Sequence, residues 1–218
     1  MTERRGVFIT FEGGEGSGKS TQMRLLAERL RAEGYEVVET VEPGGTHIGA
    51  QIRRILLDPA NSDLRAMPEM LLYFASRSQN LLEVIAPALE RGAVVLADRY
   101  TDSTMAYQGI ARGAGEEAVR ELHRIACAGI DPDLTLLIDI DVDEGLRRSS
   151  ARNRDTKSAE TRFDDEAAEF HRRVRGAYLK MAAREPARFR VIDGSGDIET
   201  VARAVWEAVA PAISKAHV

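Results

Sequence analysis

Short apolar runs alternate along the chain with longer stretches of helical period. Five runs read as strands: Val7–Glu12, Glu36–Val41, Ala93–Asp98, Leu134–Asp139 and Phe189–Asp193. They are β-branched or aliphatic along much of their length, the pattern of strands buried on both faces. Between them, apolar residues recur at helical spacing over Ser20–Glu33, Pro68–Glu90, Glu116–Ala128 and Ile198–Ser214. The first three stretches end at or near Gly34, Gly92 and Gly129, residues suited to the turn that closes a helix. The alternation predicts a three-layer α/β fold, a five-stranded parallel sheet flanked by helices. The least core-like segment is Ser149–Thr161, polar and rich in arginine, and it predicts a mobile loop.

Composition narrows this picture. A chain of 218 residues fits one compact domain, here residues 1–218, and neither an internal repeat nor a linker divides it. No apolar run approaches the roughly 20 residues of a membrane span, and Met1–Arg5 lead straight into the first strand without an apolar signal core. A protein of the cytoplasm, without a membrane partner, is expected. The net charge of −5 argues against a surface that grips nucleic acid, while a local basic pocket for phosphate stays open. Cys127 is the one cysteine, which excludes an internal disulfide and leaves a zinc site without a ligand cluster. It reads as a buried structural thiol.

Chemistry enters directly after the first strand. Gly13-Gly14-Glu15-Gly16-Ser17-Gly18-Lys19-Ser20 satisfies G-x-x-x-x-G-K-[ST] and opens into a helix. Glycines let the backbone wrap an anion with successive N–H groups, and the helix N-terminus adds its positive dipole end. Lys19 then supplies charge to the outer phosphates of ATP, and the Ser20 hydroxyl is placed to reach Mg²⁺. A guanine reader of the form Asn/Thr-Lys-x-Asp is absent, and the sole Asp-x-x-Gly, Asp193–Gly196, follows the last strand. A GTPase is therefore disfavoured.

Two more segments sit at strand C-terminal ends, where open α/β sheets collect ligands. One is Glu42-Pro43-Gly44-Gly45-Thr46, followed by Arg53 on a helical stretch from His47; the other runs from Asp98-Arg99-Tyr100 to Ser103, Thr104, Tyr107 and Gln108. With the phosphate loop, these segments resemble the thymidylate kinase family, whose bacterial members carry E-P-G-G-T and D-R-[YH]-x-x-S-x-x-A-Y-Q. The resemblance spans Phe8 to about Val209 and implies a P-loop kinase that moves the γ-phosphoryl of Mg·ATP onto dTMP. By the same resemblance, Glu15 approaches the acceptor's 3′-hydroxyl and the metal shell. Arg99 binds the acceptor phosphate with Asp98 beside the metal, and Arg53 and Arg77 are further acceptor contacts. Ser103, Thr104 and Gln108 resemble the positions that read the thymine edge, and Tyr107 the aromatic that crowds a ribose 2′-hydroxyl. Where the family commonly has phenylalanine four residues before the arginine, this chain has Tyr73. That spacing puts Tyr73 and Arg77 on one helical face, so Tyr73 is favoured over Phe74 as the stacking residue.

Arginines crowd the stretch from Arg147 to Arg162. The phosphate loop has no basic residue between Gly14 and Ser17, and phosphoryl transfer rests on alignment and charge neutralisation. The pattern resembles the bacterial class in which lid arginines, here over roughly 149–162, do this work. Arg152, Arg154 and Arg162 are the candidates, with no choice made among them. The turn Val191–Asp197 lies near adenine by analogy. Family resemblance also implies a homodimer, for which Pro68–Glu90 and Glu116–Ala128 offer apolar faces. The competing readings are another P-loop kinase of nucleoside or nucleotide acceptors, and an ATP-binding switch.

Overall fold

The computed structural model describes residues 6–156, 162–164 and 166–216. Strands β1 (Val7–Glu12), β2 (Val37–Val41), β3 (Val94–Asp98), β4 (Leu134–Asp139) and β5 (Phe189–Asp193) form one sheet in the order β2-β3-β1-β4-β5. Every pairing is parallel. The strand order turns at β1, which pairs with β3 on one side and β4 on the other, with Phe11 in register with Asp98 and with Leu136. This reversal leaves a crevice beyond the carboxyl ends of the strands, where ligands of such sheets bind.

All six residues of β1 are buried, as its continuous apolar run predicts. Their side chains alternate between the two faces. Ile9 and Phe11 pack with α1 (Lys19–Ala32) and α9 (Ile198–Ala216) through Leu26, Leu30, Val205 and Val209. Phe8 faces the opposite layer, built by α3 (Ala66–Asn80) and α4 (Ala86–Glu90) with Met70, Phe74 and Leu89. A third cluster joins Tyr107 and Leu137 to Phe170, Val174 and Tyr178. The last three stand on α8 (Ala168–Arg184), a helix the sequence pattern did not single out.

The remaining helices are α2 (His47–Leu57), α5 (Thr101–Thr104), α6 (Glu116–Ala126) and α7 (Val142–Thr156). Gly34, Gly92 and Gly129 all adopt positive φ, as expected of residues that close helices. Two helices depart from regularity. The stretch Pro68–Glu90 is interrupted by a π-helical turn at Leu81–Ile85, just before Pro87, which has no N–H for an ordinary helical bond. A second π-helical turn, Met105–Ala111, continues α5 and carries Tyr107 and Gln108. The expectation of a loop from Ser149 is corrected: α7 continues through Thr156. Arginine and alanine are strong helix formers; Ser149 is buried with its hydroxyl on Asp164, while Ser150, Arg152 and Arg154 are exposed and form the solvated face of the helix. The rest of that expected loop, 157–161, lies outside the described residues.

Candidate active site

The phosphate loop hangs between β1 and α1, held in shape by its glycines. Gly16 has φ +66, and a Cβ added there would stand 2.0 Å from the Gly145 carbonyl oxygen on α7. A side chain at this position would therefore push the loop off its neighbour. Lys19 is buried and curls back over the loop, donating to the carbonyls of Gly13 at 3.1 Å and Gly14 at 2.7 Å. Its ammonium thus occupies the hollow that the backbone encloses. Burial and the neighbouring Arg99 charge lower the Lys19 pKa to about 8, despite the carboxylates of Glu15 and Asp98. Ser20 follows on the first turn of α1, and its hydroxyl donates to Asp98 Oδ2 at 2.5 Å.

Arg99 follows the last residue of β3 in a left-handed conformation, φ +73, which is strained for a residue with a side chain. Its guanidinium reaches back across the loop. Nη2 donates to Glu15 Oε1 at 2.7 Å, while Nη1 donates to the Gly13 carbonyl at 3.2 Å and to Ser103 Oγ at 3.1 Å. The Tyr107 hydroxyl donates to the same Glu15 oxygen at 2.9 Å. Burial alone would raise the Glu15 pKa, but Arg99, Lys19 and the Tyr107 hydrogen bond hold it at about 2. The loop carboxylate is thereby kept charged beside a fixed guanidinium.

One cavity of about 440 Å³, a volume suited to small-molecule ligands, joins these groups. Glu15 to Ser20 form one wall, and Glu42, Arg53, Tyr73, Arg77, Asp98, Arg99, Ser103, Tyr107 and Gln108 complete it with Arg152 from α7. Tyr73 faces the cavity, whereas Phe74 is packed in the core. Thr104 is buried behind the wall, where its hydroxyl accepts from Arg77 Nη2 at 3.0 Å. Arg77 is itself buried, with Nε on Glu42 Oε2 at 2.6 Å and no partner for Nη1 among the described residues. A buried guanidinium nitrogen without an acceptor, on a residue that lines a cavity, is a ready donor for an anionic or carbonyl ligand.

The three candidate arginines, Arg152, Arg154 and Arg162, part company. Arg152 lines the cavity, and its Nη2 donates to Ser149 Oγ at 2.9 Å. Arg154 is exposed on α7, away from the cavity wall. Arg162 is buried, with Nη2 2.6 Å from Glu69 Oε2 and Nη1 donating to the Leu56 carbonyl at 3.0 Å. That guanidinium anchors the segment after 161 to α2 and α3, and it does not line the cavity.

Sequence reasoning passed over Glu12, the last residue of β1. Its wholly buried carboxylate accepts from the Tyr100 amide at 2.7 Å, Ser103 Oγ at 2.6 Å and the Tyr178 hydroxyl at 2.9 Å. Burial, then the charge of Asp102, raises its pKa to about 7 against the pull of these donors and Arg99. Glu12 braces the strained Arg99 through the amide of the next residue and through Ser103, whose hydroxyl accepts from the guanidinium. An acidic residue closing a buried apolar strand was the available signal, since such a charge demands partners.

The family model described as thymidylate kinase matches residues 11–205. The thymidylate kinase of Pelobacter propionicus is 53% identical, with 92% of each chain covered. That of Thermomicrobium roseum is 52% identical over 93% of each. The crystal structure of thymidylate kinase from Ehrlichia chaffeensis superposes with a TM-score of 0.74 at 34% identity, covering 94% of this chain and 99% of that one.

Proposed function

The chain belongs to the thymidylate kinase family, and we propose that its 440 Å³ cavity brings dTMP against the phosphates of ATP while the γ-phosphoryl of ATP passes to dTMP. The observation that carries this reading is the meeting of the phosphate loop with Arg99, Arg77, Tyr73 and Gln108 around a single space.

On this reading Lys19 releases the loop carbonyls and turns to the β- and γ-phosphates as they enter the N–H cradle. Arg99 stands between loop and acceptor, positioned to hold the dTMP phosphate in line with the γ-phosphorus. The attacking phosphate oxygen is already anionic, so no strong base is needed, and ADP leaves as the new bond forms. Tyr73 offers its ring to the base, Gln108 its amide, and Tyr107 crowds the place of a 2′-hydroxyl. Arg152, the candidate lid arginine on the cavity wall, is best placed to meet charge on the transferring group.

Ser20 and Asp98 fit Mg²⁺, because a hydroxyl and a carboxylate that meet on the cavity wall are hard oxygen ligands. Held by these two residues, the ion would supply positive charge against the phosphates during transfer.

A homodimer completes the proposal. Met67, Leu71, Leu82 and Ile125 stand exposed on and around α3 and α6, an apolar set that a second copy would cover. No helix among the described residues is long and apolar enough to cross a membrane, and the reading places the protein with its nucleotides in the cytoplasm.

A coupled assay of ADP release tests the proposal with dTMP, dUMP, UMP, dCMP and thymidine offered separately. Strong turnover with dTMP, less with dUMP and almost none with UMP is expected. Equal rates with dTMP and water would overturn it.

A further inference from the structure

Glu69 on α3 is wholly buried, with two hydrogen-bond donors on one carboxylate oxygen and a guanidinium paired with the other. Gln108 Nε2 donates to Oε1 at 2.8 Å and Arg112 Nε to the same oxygen at 3.0 Å, while Arg162 Nη2 stands 2.6 Å from Oε2. A carboxylate faced by two guanidiniums serves as an acceptor only. The amide of Gln108 has a donor end and an acceptor end, so Glu69 decides its direction. The nitrogen turns to Glu69, and the carbonyl oxygen is left for the cavity that Gln108 lines. Reversing the amide would set two acceptor oxygens against each other in a site closed to water.

We infer that Glu69 is a specificity-determining positioning residue, which holds the Gln108 carbonyl oxygen toward the base and so selects pyrimidines that carry a donor N–H at ring position 3. The inference rests on the thymidylate kinase reading of the cavity and deepens it. Thymine and uracil present that N–H, whereas cytosine has a lone pair there and meets the oxygen with repulsion. A site whose polar groups are fixed in this way rejects the mismatched ligand far more strongly than an apolar pocket does. Glu69 lies one helical turn before Tyr73 and two before Arg77, so one stripe of α3 carries the group that aims the amide and two that line the cavity.

The test is the ratio of kcat/KM for dTMP to that for dCMP in Glu69→Gln, Gln108→Leu and the double variant, each checked for folding by circular dichroism. Glu69→Gln, whose amide accepts either orientation of Gln108, is expected to lower the ratio at least about tenfold. Gln108→Leu is expected to lower it as well, and Glu69→Gln should add little in that background, as coupled residues do. A folded Glu69→Gln that keeps the wild-type ratio overturns the inference. So does an undiminished effect of Glu69→Gln once Gln108 is gone, because a merely structural role would persist there. Glu69→Asp keeps the charge beside Arg112 and Arg162 while drawing the acceptor back from Gln108. It stands in if Glu69→Gln does not fold; a fall of several-fold supports the inference and an unchanged ratio overturns it. Failure of the underlying reading is distinct, since the wild type would then release no ADP in response to dTMP.

Discussion

Two charged side chains set the residue-scale physics of this site. Arg99 is held in a strained backbone conformation by contacts with Glu15, Ser103, the Gly13 carbonyl and Tyr107. Strain of this kind persists only where surrounding structure fixes it, and here it aims a guanidinium at the phosphate loop. Arg99→Ala is therefore expected to cut turnover with dTMP by about a thousandfold while the protein still unfolds cooperatively; rates measured beside thermal melts check this. Glu12 makes the second case. Its folded pKa of about 7 lies above the ordinary 4.5, so the protonated form is the one favoured by folding. Its stabilising contribution is full below pH 4.5 and is lost as pH rises through 7. Glu12→Gln does not titrate, so melts across this range should show the variant gaining on the wild type as pH rises, with the gap constant above it. Parallel curves would contradict the assignment. The role of Arg99 was implied by the Asp98-Arg99-Tyr100 motif, whereas that of Glu12 was not read from the sequence, because its partners lie 88 to 166 residues away.

At the scale of elements, the strands were legible because the sheet is covered on both faces, which makes β1, β3 and β4 continuous apolar runs. The phosphate loop was legible because its chemistry tolerates few residues at each step. Helix α7 was misread beyond Ser149 because arginine density resembles a loop in composition, although arginine propagates a helix well. Helix α8 went unnamed, yet it supplies Tyr178, whose hydroxyl meets both Glu12 and Ser103. Helix α2 begins the way its sequence suggests. Thr46 is its N-cap, with Oγ1 accepting from the Gly49 amide at 2.9 Å, and it fixes the helix that carries Arg53 to the cavity. Thr46→Ala is expected to cost about 1 kcal/mol in urea unfolding at unchanged m-value. No change in midpoint would show that the cap does not hold this helix.

The whole molecule turns on the reversal of strand order at β1. Because β1 and β3 end side by side, the loop after one and Arg99 after the other face a common crevice, and α3, the Met105–Ala111 turn and α7 wall it in. Motif spacing made the participating segments legible, since each follows a strand end. It did not show that Arg162 is spent on Glu69 or that Thr104 stands behind Arg77, because those partners are chosen by packing between distant elements. Transfer of label from [γ-³²P]ATP shows whether this crevice brings donor and acceptor together. With dTMP present, the label is predicted to appear in dTDP, with little released as inorganic phosphate. Release of the label as inorganic phosphate at the same rate with and without dTMP would contradict the account.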